Sequence, residues 1–266
     1  GYTHYFYVGG GNIMHLTESL SNYLQGIPVI HEVAAGIATE YFNEISDNGK
    51  ALALVTTGPG ITNIVTAISG AWLESRELLV IGGQVKSSDL SRGKLRARGI
   101  QEVNGVELLS STTKKSVLID SPINAKTFSS YVGQSWESRK GPVFLEIPLD
   151  VQATDVMSES IEAYTEQKLK KVSLGEMQKI IDLYDMSERP VLLIGGGVDY
   201  ECAVRNSDKL KKLPIPVMTT YNGADRCDGD NENYFGRPNT WGRRSSNIII
   251  QNSDLIIAIG TRLGLQ

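Results

Sequence analysis

The sequence predicts an α/β fold, a doubly wound and mostly parallel sheet followed by a second, shorter α/β domain. Short apolar runs alternate with segments of helical period, many of the runs end in glycine, and the connections between them are brief. The 27 glycines cluster after apolar runs, which is the pattern of tight turns from strand to helix. The pattern starts twice, with a polar stretch rich in Ser, Glu and Lys between the two halves.

Taken in order, Tyr5-Phe6-Tyr7-Val8 is aromatic and β-branched and reads as a strand ending in Gly9-Gly10-Gly11. Asn12 suits an N-cap for a helix that lines up Ile13, Leu16 and Leu20. Strand two covers 27–30, and a helix over 33–46 ends at Asp47-Asn48-Gly49. Strand three, 51–55, breaks at Gly58-Pro59-Gly60 into a helix over 61–74 with Ile64, Ile68 and Trp72 on one face. Strand four, 78–81, ends in glycines. A long loop, 82–101, then carries Lys86, Arg92, Lys94, Arg96 and Arg98 against one acid, Asp89. It reads as a solvated surface or as a cover over a site that handles anions. No aromatic residue interleaves with the cations, which weakens a nucleic-acid reading. A helix at 103–110, a strand at 116–119, a helix over 122–138 with Pro122 in its first turn, and a strand over 141–148 close the unit.

Domain one is therefore set at 1–151, a linker at 152–172, and domain two at 173–266. Domain two reads as helix 174–184, buried strand 190–194, the turn Gly195-Gly196-Gly197 and helix 201–212. Strand 217–219, irregular chain over 221–239, a short helix at 245–251 and a buried strand at 255–259 complete it. This is a Rossmann-like pattern expected to be incomplete, because the last strand lacks a following helix. Residues are likewise expected before Gly1, since the chain opens directly in a strand.

Hydrophobic residues at 41% and charged residues at 21% are ordinary for a globular protein. A net charge of −4 predicts no general affinity for nucleic acid or an anionic membrane, and no run approaches the length of a membrane span. Cys202 and Cys227 lack CxxC spacing and read as reduced thiols, so a cytoplasmic location is expected. His4, His15 and His31 have no zinc-site spacing, and Asp228-Gly229-Asp230-Asn231 lacks the remaining ligands of a calcium loop. Neither Gly195-Gly196-Gly197 nor Gly58-Pro59-Gly60 meets a nucleotide-loop template. Glu32 stands out: a carboxylate between an apolar run and Val33-Ala34-Ala35, either the favoured acid of a helix start or a buried group able to share a proton.

Several pieces occur together in a telling order: Phe6-x-Val8-x-Gly10, His31-Glu32-x-Ala34-Ala35, Thr57-Gly58-Pro59-Gly60-x-Thr62-Asn63, Gly83-Gln84-Val85, Gln101-Glu102 and Gly141-Pro142-Val143-x-Leu145-x-Ile147-Pro148-x-Asp150. They resemble the pyrimidine-binding domain of thiamine-diphosphate enzymes of the acetolactate synthase group. Leu193-Ile194-Gly195-Gly196-Gly197 and the run from Asp254 to Arg262 resemble the middle domain of that family. The resemblance implies decarboxylation of a 2-oxo acid such as pyruvate and carboligation to a second carbonyl compound. Simple decarboxylation, cleavage of a 2-hydroxyacyl compound, or a non-catalytic truncated relative are the alternatives. It implies that Glu32 hydrogen-bonds the cofactor's pyrimidine and promotes loss of the thiazolium proton. Gly58, Pro59, Gly60 and Asn63 would lie beside that ring, Gln101 near the reacting carbon, and Arg139 matches an arginine that contacts FAD in flavin-containing members. Magnesium and the diphosphate would be held by a third domain that this sequence lacks. The cofactor would sit between subunits of a homodimer or homotetramer, leaving these residues as half a site. Ile100, where the family usually has Phe, Lys86-Ser87-Ser88, where many relatives carry proline, and the basic loop leave room for a larger or more anionic oxo acid or acceptor.

Overall fold

A computed structural model describes residues 1–155 and 172–264, in two compact units, Gly1–Gln167 and Lys168–Gln266. All but the ends of the linker expected over 152–172 lies outside the described residues.

The first unit is a six-stranded sheet of β1 (Tyr2–Tyr7), β2 (Gln25–Pro28), β3 (Lys50–Val55), β4 (Leu78–Gln84), β5 (Lys115–Leu118) and β6 (Pro142–Pro148), in the order β2-β1-β3-β4-β6-β5. Every pairing is parallel. The helices are α1 (Met14–Ser21), α2 (Glu32–Ile45), α3 (Pro59–Glu74), α4 (Gly105–Leu109), α5 (Ala125–Gly133) and α6 (Leu149–Gln152). Alternate residues of the same strand feed two cores. Ala53, Val55, Leu78, Val80 and Phe144 pack with Ala35, Ile61, Ile64, Ile68 and Leu109 from α2, α3 and α4. Leu52, Leu54, Leu79, Ile81, Val143 and Leu145 pack with Ile13, Val132 and side chains of α1 and α5. Burial on both faces is why these strands read as unbroken apolar runs.

Several boundaries differ from the sequence reading. Asn12 is not a cap: it lies inside a 3₁₀ turn, Gly11–Ile13, and α1 follows from Met14 with Ile13 at its N-cap. Strand two ends at Pro28, with one more bond from Val29 N–H to the Tyr7 carbonyl, and Ile30 is fully exposed. On α3, Ile64 and Ile68 are buried but Trp72 is 40% exposed, near the end where the helix leaves the core. Strand four runs through both glycines to Gln84, all of it buried. The fifth helix starts at Ala125, because the Asn124 side chain accepts from Thr127 N–H and fixes the start there; Pro122 lies outside it.

The second unit is a three-stranded parallel sheet, order β8-β7-β9, of β7 (Pro190–Ile194), β8 (Val217–Thr219) and β9 (Leu255–Ile259). Around it lie α7 (Leu174–Met186), α8 (Tyr200–Arg205), α9 (Ser207–Lys211) and α10 (Arg244–Asn252). A capping box of Ser173 and Glu176 starts α7. The single helix expected over 201–212 is two, since Asn206 leaves helical geometry and its amide bonds the Cys202 carbonyl. The last strand is an edge strand rather than a buried one, with Ile256 45% and Ile259 50% exposed. No helix among the described residues is long and apolar enough to cross a membrane.

Candidate active site

In the first sheet the strand order reverses at β1, which has β2 on one side and β3 on the other. Ligands of such sheets bind outside the carboxyl ends of the strands beside that reversal. Glu32 follows β2, Gly58-Pro59-Gly60 follows β3, Gln84 ends β4, and Glu146 lies near the end of β6.

Glu32 is the first residue of α2, whose start is capped by His31, its Nδ1 accepting from Val33 N–H at 3.2 Å. The Glu32 side chain is buried at 7% exposure. Asn63 Nδ2, one turn into α3, donates to Glu32 Oε2 at 2.9 Å. Glu32 Oε1 has no hydrogen bond to any described residue, and it faces Gly60, where an added Cβ would come within 3.5 Å of it. A carboxylate pinned at one oxygen and open at the other, above a missing side chain, fits an N–H donor on a flat ring.

The wall beside it is built from backbone. Gly58 has φ +66 and ψ −116, a combination that a side chain resists, and a Cβ there would lie 2.5 Å from the Gln101 carbonyl oxygen. Gln101 itself has φ +63. Buried Thr57 holds this contact: its Oγ1 lies 2.9 Å from Gln84 Oε1 and 3.4 Å from the Gln101 carbonyl. Gln84 is fully used, since Oε1 also accepts from Val85 N–H at 2.8 Å and Nε2 donates to the Val103 carbonyl at 2.8 Å and to Glu146 Oε1 at 2.9 Å. That gives Gln84, to which the sequence reading assigned no role, the job of a buried pin.

Glu146 is the residue that sequence reasoning missed. It is 2% exposed, it accepts from Gln84, and the backbone N–H groups of Gly105 and Val106 favour its charged form. Burial pushes its carboxyl up to about 7 against the opposing pull of those three donors, with the Glu102 charge adding a further push. A lone Glu inside Val143-Phe144-Leu145-Glu146-Ile147 was a signal, because a strand buried on both faces does not bury an acid without partners.

A stability profile tests this. Glu146 binds its proton more tightly in the folded chain than at its ordinary value of 4.5, so its contribution is complete below about pH 4.5 and is lost as pH rises through about 7. Urea unfolding is expected to show a loss of up to about 3 kcal/mol from this group across that window, and Glu146→Gln should remove that part of the slope. Glu40 acts with the same sign in both proteins: burial lifts it to about 7, and Arg76, 3.2 Å away, is shared with Glu44 and Glu74. A variant that keeps the full slope would assign the loss to Glu40 or elsewhere.

Arg139 is not brought to this place. It precedes β6 at the opposite, amino-terminal end of the sheet, where its Nε donates to Ser75 Oγ at 2.7 Å. Among the described residues no group of three or more His, Cys, Asp or Glu could hold a metal ion.

Comparison with known proteins decides the family. Residues 1–108 match the thiamine pyrophosphate enzyme N-terminal domain that binds the cofactor, and residues 177–265 match the central domain of the same enzymes. The chain belongs to the thiamine pyrophosphate (thiamine diphosphate) enzymes. Within that family its relatives are of the acetolactate synthase group. It is 30% identical to the acetolactate synthase large subunit of Lactococcus lactis over 95% of this chain and 44% of that protein. It is 28% identical to the mitochondrial acetolactate synthase catalytic subunit of Saccharomyces cerevisiae over 95% of this chain and 38% of the relative. Identity to isozyme 1 of Escherichia coli is 29%, over 96% of this chain and 45% of that large subunit. The chain thus spans less than half the length of these thiamine pyrophosphate enzymes.

Proposed function

We propose that the protein uses thiamine diphosphate to decarboxylate a 2-oxo acid such as pyruvate and joins the remaining acyl unit to a second carbonyl compound. The observation that carries this reading is the Glu32 carboxylate, buried, held through Oε2 by Asn63 and open at Oε1 over Gly60. When bound, thiamine diphosphate supplies the electron sink for loss of CO₂. Glu32 Oε1 accepts and shares a proton with the pyrimidine ring, and Asn63 keeps the carboxylate aimed. Gly58, Pro59 and Gly60 would let the backbone approach the ring. Gln101, whose backbone packs on Gly58, is the residue proposed to stand near the reacting carbon.

The domain split proposed is 1–151 for the pyrimidine-binding domain and 173–266 for the middle domain. We propose that the residues here make the pyrimidine side of the site, that magnesium and the diphosphate are held by other residues, and that the active form is a homodimer or homotetramer. Arg139, which matches an FAD-contacting arginine of flavin-containing relatives, lies at the amino-terminal end of the sheet beside Ser75, and FAD is given no part in the reaction proposed here.

The test is product analysis of the full-length protein with thiamine diphosphate, Mg²⁺ and carboxyl-labelled pyruvate. Cofactor-dependent CO₂ release with a carboligation product, acetolactate when pyruvate is also the acceptor, is expected. Acetaldehyde alone would make it a decarboxylase. No CO₂ release from pyruvate or its longer homologues would overturn the reading.

A further inference from the structure

We propose that the loop over 86–99 binds the phosphate of a phosphate-bearing carbonyl acceptor. This rests on the carboligase reading above and adds the acceptor's class to it. The segment carries Lys86, Arg92, Lys94, Arg96 and Arg98 against Asp89, five cations minus one acid, or +4, in a chain whose net charge is −4. All five cations are exposed. Only Arg92 has an ion pair among the described residues, a 3.6 Å contact with exposed Asp120, and such pairs are weak.

The loop is not loose, which is what separates it from an ordinary solvated surface. Ser87 N–H and Oγ bond Asp150 Oδ1 at 2.9 and 3.2 Å. The Glu102 carboxylate accepts from Ser91, Arg98 and Gly99 N–H at 2.7, 2.6 and 3.2 Å and closes the segment on itself. Partial burial pushes Glu102 up, but these backbone donors prevail and hold it below the usual carboxylate range, so the clasp stays ionised. Both ends are rooted in the site: Gln84 on the buried pin, and Gln101 on Thr57 and Gly58. Five tethers, all to the carboxylates of Asp150 and Glu102 through Ser87 and backbone N–H groups, fix the segment, while Lys86, Lys94, Arg96 and Arg98 have no ion pair among the described residues. Their mutual repulsion is relieved when an anion arrives, and their field draws anions in.

The chemistry favours phosphate over a single carboxylate. A second pyruvate brings one negative charge and needs one cation. A phosphate ester brings about two charges and three acceptor oxygens, which guanidinium forks such as those of Arg92, Arg96 and Arg98 can share.

The experiment uses the full-length protein saturated with thiamine diphosphate and Mg²⁺, and the triple variant K94Q/R96Q/R98Q. Pyruvate is the donor, and glyceraldehyde 3-phosphate is compared with glyceraldehyde as acceptor. The phosphorylated acceptor is expected to show a KM lower by about 10-fold or more, and the triple variant should erase that advantage without changing kcat for either acceptor. Titration with glycerol 3-phosphate, which has no carbonyl and cannot react, reads binding apart from turnover. It should bind the wild type about 10-fold or more tightly than the variant, while glycerol binds neither. Equal KM values for the two acceptors together with equal titrations would overturn the proposal. CO₂ release from pyruvate alone reports separately on the carboligase reading: intact release with no phosphate preference sinks only the loop, and tight glycerol 3-phosphate binding without release sinks only the reaction.

Discussion

Replacing Glu32 by Gln in the full-length protein is expected to lower thiamine-diphosphate-dependent CO₂ release by about 10²–10⁴-fold, the range of a lost proton-transfer partner. The fold should survive, because a glutamine Oε1 can still accept from Asn63 Nδ2, now 2.9 Å from the carboxylate. The thermal midpoint should therefore stay close to that of the wild type while turnover collapses. Asn63→Ala removes the brace and leaves the acid, so its loss should be smaller, on the order of 10-fold, and should fall on kcat rather than on KM for the donor. Full activity in Glu32→Gln would end the assignment of Glu32.

Gly83→Ala should produce the largest loss of stability. Gly83 lies inside β4, and an added Cβ would stand 2.0 Å from the Asn12 carbonyl oxygen and 2.6 Å from Ile13 Cγ2. The first of these is backbone, in the 3₁₀ turn that leads into α1, so relief requires moving the turn off the sheet. A cost of about 3 kcal/mol or more is expected, read as a midpoint drop of at least about 6 °C by circular dichroism. Gly60→Ala is the matched contrast. Its Cβ would meet Thr56 Cγ2 at 3.1 Å and Glu32 Oε1 at 3.5 Å, so the chain can accommodate it while the cradle over Glu32 fills. Stability near wild type with a severe loss of turnover is expected there. A stable, unperturbed Gly83→Ala would show that the turn and β4 do not press together as described.

The central strands β3, β4 and β6 were legible because they are buried on both faces, and runs such as Ala51-Leu52-Ala53-Leu54-Val55 leave little choice. What escaped was decided by contacts remote in sequence or by local side-chain bonds. Strand four continues through Gly82 and Gly83 because its partner β6 runs alongside as far as Pro148, whereas glycines in isolation signal a turn. The helix expected from Pro122 begins at Ala125 because Asn124 supplies the cap. The same division holds at the candidate site. Glu32 and Gly58-Pro59-Gly60 carry local signatures, and the structure sets Gly60 and Asn63 beside the Glu32 carboxylate and Gly58 against Gln101. Glu146 meets Gln84 across 62 residues of sequence, and no local pattern shows that a buried acid there has its donors waiting.

The most direct measurement is the exchange rate of the C2 proton of thiamine diphosphate bound to the full-length protein, followed by quenched-flow deuterium exchange and proton NMR. It isolates proton removal from decarboxylation, acceptor binding and product release. The wild type should exchange about 10²–10⁴-fold faster than Glu32→Gln at equal cofactor occupancy. Equal rates in the two proteins would contradict the role given to Glu32 and, with it, the reading of this end of the sheet as the half of the site where the cofactor is activated.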